Sequence, residues 1–113
     1  MMDITIEQLT QVHQEAQAEA RAAAAKFFQE RLGGVDQFAC GFAWVNVPVK
    51  ASTKLGRKLA ALGFRKSYRG GLELWNPSNF GCQNIDTLEH GATAYAEVFK
   101  KHGIECYAQS RLD

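Results

Sequence analysis

Basic side chains are concentrated in one short part of the sequence. Residues 50–69 contain no aspartate or glutamate, although the chain as a whole has a formal net charge of only +1. We call this stretch the basic segment, and its cations are Lys50, Lys54, Arg57, Lys58, Arg65, Lys66 and Arg69. Such a patch typically binds an anion, which can be a nucleic acid, a phosphorylated small molecule or an acidic protein surface.

Aromatic side chains accompany the basic segment. Tyr68 lies inside it, next to Arg69 and two glycines, and Trp75 follows shortly afterwards. Aromatic rings among cations are suited to stacking on nucleic-acid bases. The glycines favour an accessible position for Tyr68, whereas a tryptophan on a small sheet is more typical of a core. Arg111, just past a predicted strand, is a further candidate binding residue.

Cysteine chemistry is the main route by which this sequence could be an enzyme. Cys82 precedes a predicted helix, where the helix dipole lowers the pKa of a thiol, and His90 could lie one turn inside that helix. The sequence offers no third, orienting residue at a recognisable spacing, and a single cysteine is most often a small buried side chain. We therefore predict no catalytic residue, and a small cysteine-dependent enzyme remains an alternative.

Motifs for metals and cofactors are missing from the sequence. Cys40, Cys82 and Cys106 include no Cys-x-x-Cys pair, which argues against a structural zinc site and against a disulfide framework. The glycines lack the spacing of a phosphate loop or of a dinucleotide motif. The sequence predicts no cofactor and no metal, although the start of the helix near Ser52 could hold a phosphate with Lys54.

The first third of the chain is predicted to be one long helix. Thr5 and Gln8 have the spacing of a capping box, alanine dominates residues 16–25, and Gly33 and Gly34 end the pattern. The alanines form a stripe that another backbone could approach closely. We expect this stripe to cover the protein's own sheet, and a homodimer through the N-terminal helix is the alternative.

The remaining residues, 35–113, predict the order strand, helix, strand, helix, strand. The predicted strands span 38–47, 72–76 and 104–110, with both faces of the first one apolar, which places it in the middle of a sheet. The predicted helices begin at Ser52 or Thr53 and at Asp86, where Glu89 would complete a capping box. A loop over residues 76–84 is a candidate site edge.

These elements indicate one α+β domain over residues 1–113, with a long helix over 1–34 and helices packed on a small three-stranded sheet. The N-terminal residues lack the pattern of a secretory signal, and no apolar run reaches the roughly 20 residues of a membrane span. We therefore expect a cytoplasmic protein with no membrane partner.

Two resemblances to known proteins are visible. Residues 52–75, in the order Leu-Gly-Arg-Lys-Leu, Leu-Gly-Phe and Tyr-Arg-Gly-Gly, partly resemble the recognition helix and wing of winged-helix DNA-binding domains. From Cys40 onward, the strings Cys-Gly-Phe-Ala-Trp-Val, Gly-Gly followed by Trp-Asn-Pro, and Ser-Arg-Leu-Asp resemble a group of small uncharacterised bacteriophage proteins. The second resemblance implies a phage or prophage product in a host bacterial cytoplasm, where such proteins often disable host or defence components.

The sequence thus favours a non-enzymatic, phage-encoded binding protein. Its basic segment would engage an acidic surface of a host or defence protein, or a phosphorylated ligand. A nucleic-acid-binding protein, for single-stranded DNA, duplex DNA or RNA, is the alternative from another class. The candidate binding residues are Lys54, Arg57, Lys58, Arg65, Lys66, Tyr68, Arg69, Trp75 and Arg111.

Overall fold

The structure is a computed structural model, which describes residues 3–113. These residues form three helices and a four-stranded sheet with the order β2-β3-β1-β4, and every strand pair is antiparallel. The helices are α1 (Ile6–Leu32), α2 (Lys54–Ala61) and α3 (Ile85–Lys101), and the strands are β1 (Gly41–Val47), β2 (Arg65–Lys66), β3 (Leu72–Trp75) and β4 (Tyr107–Leu112). The predicted α+β class with a long N-terminal helix is confirmed.

The elements after α1 follow the order β-α-β-β-α-β, which is the split β-α-β motif. Helix α2 connects β1 to β2 with β3 between them, and α3 connects β3 to β4 with β1 between them. Strand β1 therefore lies inside the sheet, as its two apolar faces predicted. All three helices contribute to one hydrophobic core with Ala43, Val45 and Val47 of this strand.

The local signals at both ends of α1 and at the end of α2 are confirmed. Thr5 and Gln8 form the reciprocal capping box of α1, and Gly33 ends this helix in the left-handed conformation with φ of 63°. At the end of α2, the Phe64 N–H donates to the carbonyl oxygen of Leu59 at 3.1 Å, which is the hydrogen bond of a Schellman motif. These contacts define both ends of α1 and the end of α2.

Several predicted boundaries were wrong. The first strand begins at Gly41 rather than at residue 38, because Phe38 adopts a left-handed φ of 69° that a strand does not allow. Helix α3 is capped by Asn84, whose side chain accepts the Thr87 N–H at 2.8 Å, so the predicted capping box at Asp86 is not the cap used. The last strand spans Tyr107–Leu112 rather than 104–110.

The predicted three-stranded sheet was one strand too small. The additional strand, β2, has only two residues, Arg65 and Lys66, and both are exposed. It pairs with β3 through Glu73 and Leu72. A strand this short has no periodic hydrophobic pattern, so the sequence contained no signal for it.

The alanine stripe of α1 packs on α3 of the same chain. Ala16, Ala20 and Ala24 are fully buried. On α3, a Cβ added at Gly91 would lie 3.4 Å from the Ala20 carbonyl oxygen and 2.7 Å from the Ser78 Cβ, so the two helices approach closely. The stripe is thus covered by a helix rather than by the sheet, and the surface expected for a helix-mediated homodimer is already buried.

We expect Ala20→Leu to lower the free energy of unfolding by about 1–3 kcal/mol, because the larger side chain would push α1 and α3 apart. Ala22→Leu on the exposed side of α1 is the matched control and should change stability by less than about 0.5 kcal/mol. Denaturant unfolding followed by circular dichroism measures both. Equal stability of the two variants would contradict the close helix packing.

A buried polar pair also joins these two helices. The Nδ1 atom of His13 lies 2.6 Å from the Tyr95 hydroxyl oxygen, and the two rings meet edge to face. Burial lowers the pKa of His13, which favours the neutral imidazole. Burial also raises the pKa of Tyr95, so its hydroxyl keeps its proton.

This pair predicts a loss of stability in mild acid. The unfolded chain has a histidine pKa near 6.5, above the lowered pKa of folded His13, so the unfolded state binds more protons between these values. The contribution of His13 is therefore complete above about pH 6.5 and is lost as the pH falls through the folded pKa. The melting temperature, measured between pH 5 and 8, should depend less on pH for His13→Gln than for the wild-type protein. The same pH dependence in both proteins would contradict a stabilising role of neutral His13.

Candidate functional site

One face of the sheet carries side chains that are not part of the helical core. Strand alternation places Phe42, Trp44 and Asn46 of β1 opposite the core residues Ala43, Val45 and Val47. Trp44 is buried, yet it does not belong to the core cluster that the three helices share. We call this side of the sheet, which no helix of residues 3–113 covers, the open face.

The strand register arranges the open face in three rows. Residues that are directly opposite each other in antiparallel strands point to the same side. The first row is Phe42 with Arg111, the second is Trp75, Trp44 and Gln109, and the third is Arg65, Glu73, Asn46 and Tyr107. Three aromatic side chains, Phe42, Trp44 and Trp75, therefore lie on the two central strands. Tyr107 is on the edge strand β4, and each edge strand carries a cation, Arg65 or Arg111.

Phe42, Trp44 and Trp75 form what we call the aromatic cluster. The indole rings of Trp44 and Trp75 stack with their centroids 4.5 Å apart at an angle of 15°, and the Phe42 ring lies 5.7 Å from that of Trp75. Trp44 is only 3% exposed, whereas Trp75 is 43% and Phe42 is 38% exposed. The interpretation of Trp75 as a core residue was therefore wrong, because Trp44 is the buried member of the pair.

Polar partners hold the cluster in place. The Trp44 indole N–H donates to Gln109 Oε1 at 2.8 Å, and the Trp75 indole N–H donates to Glu73 Oε1 at 3.0 Å. The Arg111 guanidinium carbon lies 5.4 Å from the centroid of Phe42 and 5.9 Å from that of Trp75. These are cation–π distances, so one cation interacts with both exposed rings.

The structure divides the predicted binding residues among three places. Trp75, Arg111 and Arg65 share the open face. Tyr68 and Arg69 lie in the β2–β3 turn, where the Arg69 Nε–H donates to the Tyr68 hydroxyl at 3.0 Å and both side chains are exposed. The remaining predicted cations lie on the helical side of the sheet. Three of them, Lys54, Arg57 and Lys58, belong to α2. The fourth, Lys66, pairs with the buried Leu72 and so points to the same side as this core residue.

Helix α2 uses part of its charge for local contacts. Lys58 Nζ donates to the Ile4 carbonyl oxygen at 2.6 Å, which ties α2 to the start of α1. An Arg57 Nη1–H donates to the Ser52 carbonyl oxygen at 2.8 Å. The basic segment is therefore divided between the two sides of the sheet, because α2 and Lys66 lie on the helical side and Arg65 lies on the open face.

Sequence reasoning did not include Phe42 and Trp44 among the site residues. The alternation of β1 did place them together on one face, so the signal for their common direction was present. The sequence did not show that the helices cover only the other face of this strand.

A cavity of about 390 Å³ opens beside the aromatic cluster. Phe42 and Trp75 line it from the sheet, and Asn76, Cys82 and Gln83 line it from the predicted loop region 76–84. The side chain of Asp36 organises this loop by accepting the backbone N–H groups of Gln83 and Asn84. The loop thus borders the open face at the end where the exposed rings lie.

The surroundings of Cys82 do not favour the alternative of a cysteine-dependent enzyme. Burial and the nearby Asp36 carboxylate raise the pKa of Cys82, whereas a position before a helix was expected to lower it. The His90 ring stacks on Phe27 at 4.1 Å, and its Nδ1 lies 2.8 Å from the Asp86 carbonyl oxygen. These contacts account for the position of His90 without a cysteine partner.

Metal ligands do not assemble in the described part of the chain, since residues 3–113 contain no group of three His, Cys, Asp or Glu side chains that could hold an ion. All three cysteines are free thiols. Within the same residues, no helix is long and apolar enough to cross a membrane.

No family model, curated protein or solved structure matches this chain. The phage and winged-helix resemblances therefore stay at the level of short motifs. In the fold, the segment that resembles a recognition helix and wing forms α2 and the β2–β3 hairpin, and β3 continues the sheet by pairing with β1.

The three thiols should react with iodoacetamide in a fixed order. Cys40 is exposed and should react first, Cys82 is half-buried with a raised pKa, and burial raises the pKa of Cys106 to about 12. Peptide mass spectrometry during a time course at pH 7.5 measures the order. Preferential labelling of Cys82 would contradict this description and would favour the enzyme hypothesis.

Proposed function

We propose that this protein binds single-stranded nucleic acid across the open face, with bases stacked on Phe42 and Trp75. The observation that carries this proposal is the pair of partly exposed rings on the central strands with the Arg111 guanidinium beside both. Stacking of a base on an aromatic side chain contributes about 1–3 kcal/mol and tolerates any base. Four-stranded sheets that bind RNA use aromatic rings on their central strands in the same way.

The distribution of cations supports this mode of binding. Arg65 and Arg111 lie on the two edge strands at diagonally opposite positions of the open face, in its third and first rows. They are three strand spacings, roughly 14 Å, apart across the sheet and four residues, roughly 13 Å, apart along the strands. A strand that crosses the sheet between them would place its bases on the aromatic cluster and its phosphates near both arginines. Arg69 in the β2–β3 turn would extend the basic track beyond Arg65.

Single-stranded ligands fit this face better than duplexes. In a duplex the bases are stacked on each other and only their edges are accessible, so they cannot reach Phe42 or Trp75. The open face offers flat rings rather than a projecting helix. The basic helix of the described chain, α2, lies on the opposite side of the sheet.

Arg111 has a specific role in this proposal. In the free protein its guanidinium shields the two exposed rings from water through cation–π contacts. An incoming base would take the position of the guanidinium on a ring, and the released cation would turn to the neighbouring phosphate. The protein would thus exchange one stacking partner for another and gain a charge contact.

Fluorescence anisotropy with labelled single-stranded DNA, single-stranded RNA and duplex DNA over a salt series tests the proposal. We expect single strands to bind best, with an affinity that falls as salt rises because counterions are released. Trp75→Ala should weaken binding about tenfold, which is the loss of one stacked base. Arg111→Ala should weaken binding and reduce the salt slope.

Arg57→Ala is the matched control, because it removes the same side chain from α2 and should change the affinity less than twofold. Circular dichroism verifies that each variant is folded. Unchanged binding by a folded Trp75→Ala variant, or absence of binding at low salt, would contradict the proposal.

A second candidate follows from the charge on α2. Lys54, Arg57 and Lys58 line a shallow depression of about 310 Å³ together with the partly exposed Ile6. Cations around an apolar side chain would suit an acidic protein surface or a phosphorylated ligand, as the basic segment and the phage resemblance predict for a host or defence target. Under this alternative, Arg57→Glu would abolish recovery of the partner and Trp75→Ala would not.

A further inference from the structure

Strand β4 is an unprotected edge of the sheet. Among residues 3–113 it pairs only with β1, and all six of its residues, Tyr107–Leu112, are exposed. Its register with β1 is regular and contains no bulge. The strand has no lysine or proline, which are the residues that commonly protect edge strands from pairing with another chain. An edge of this kind is suited to receiving an additional strand.

The hydrogen bonds of β1 to its two neighbouring strands show which backbone groups of β4 point away from the sheet. The Ala43 carbonyl oxygen accepts the Asn76 N–H at 2.8 Å, so it points to β3, and the Cys40 carbonyl accepts the Asp113 N–H at 3.1 Å. The backbone N–H and C=O groups of successive residues point alternately to the two sides of a strand. Since Asp113 bonds to β1, residues 107, 109 and 111 of β4 bond to β1 as well. The N–H and C=O groups of Ala108, Ser110 and Leu112 therefore point away from the sheet.

A groove runs beside this edge on the helical side. It has a volume of about 450 Å³, and Thr93 and Ala94 of α3 and Ala108 of β4 contribute to its lining. Glu89 and His90 of α3 also line it, and the Ser110 hydroxyl donates to the Glu89 carboxylate. Leu112 points to the same side of the sheet, because its partner Gly41 alternates with Phe42, and it is 66% exposed. The edge therefore combines free backbone groups, a groove that includes Ala94 and Ala108, and an exposed leucine.

We propose that a second copy of this chain adds its β4 antiparallel to this edge, with the two Ser110 residues opposite each other at a twofold axis. This register pairs the outward-pointing Ala108, Ser110 and Leu112 with Leu112, Ser110 and Ala108 of the second copy. Each Leu112 then lies beside Ala108 of the facing groove. On the open face, Arg111 meets Gln109 of the second copy, so no like charges within the strands oppose each other.

Two neighbouring symmetric registers use the same backbone groups. The register centred on Arg111 would place the two arginines directly opposite each other, which is unfavourable. The remaining one is centred on Gln109. It would pair Ala108 with Ser110 and would leave Leu112 beyond the paired region, exposed to water. The register centred on Ser110 buries this leucine and is therefore favoured by the hydrophobic effect.

The assembly would extend the open face. The twofold axis of an antiparallel strand pair is perpendicular to the sheet, so both open faces lie on the same side. Two aromatic clusters would then share one eight-stranded face, with an Arg111 on each side of the junction. The dimer itself does not rest on nucleic-acid binding, since only the strand edge and Leu112 support it.

Light scattering after gel filtration, over a range of concentrations, tests the dimer without any ligand. The expected mass is twice the 12.5 kDa of one chain. Ser110→Pro should give a folded monomer, because proline removes an N–H that points away from β1 and blocks strand addition. Leu112→Glu, which adds a carboxylate to a groove that Glu89 already lines, should also give a monomer. A monomeric wild-type protein, or dimers in both folded variants, would overturn the proposal.

Disulfide crosslinking tests the register. Opposite residues in a hydrogen-bonded antiparallel pair have Cα atoms about 5.5 Å apart, which is within the range of a disulfide. In a Cys40→Ser background, which removes the exposed native thiol, oxidised Ser110→Cys should give a covalent dimer. Gln109→Cys in the same background is the control and should remain uncrosslinked. Crosslinking through Gln109→Cys alone, or through neither variant, would overturn the proposed register.

Discussion

The close packing of α1 on α3 determines which surfaces of this protein are available. Alanine on one helix and Gly91 on the other bring the two backbones together, so the longest helix completes the helical layer instead of covering the second face of the sheet. The crossover helices α2 and α3 lie in the same layer. As a result, the apolar side chains on the other face of β1 can be covered only by their neighbours within the sheet.

This constraint explains the aromatic cluster. Trp44 is buried because Trp75 stacks on it from the adjacent strand, not because a helix covers it. Gln109 and Glu73 hold the edges of the two indoles through hydrogen bonds, which leaves the ring faces for stacking. A rigid arrangement of this kind loses little conformational entropy when a ligand binds, and this favours a binding surface over a simple cover for the sheet.

Much of the fold could be predicted from local signals. The Thr5 capping box, the glycine at the end of α1 and the Schellman motif after α2 each depend on a few neighbouring residues, and all three are present in the structure. The two apolar faces of β1 also correctly indicated an internal strand. Strand β2 could not be predicted in the same way, because two exposed basic residues have no periodicity.

The candidate site depends on contacts between distant residues, which is why the sequence predicted it only in part. Trp75 and Arg111 were identified, but their contact requires the pairing of β3 and β4 with β1. The basic segment suggested one patch because its residues are adjacent in the sequence. The fold places α2 on the helical side and Arg65 on the open face, and composition alone contains no information on that separation.

The most direct test of the central claim uses the two tryptophans of the chain, both of which lie on the open face. Their indole N–H signals can be followed in a ¹H–¹⁵N spectrum while a single-stranded oligonucleotide is added. The account predicts that the Trp75 indole shifts together with the backbone signals of Phe42 and Arg111, while those of α2 stay in place. Shifts confined to α2, with both indole signals unchanged, would contradict the assignment of the open face as the binding surface.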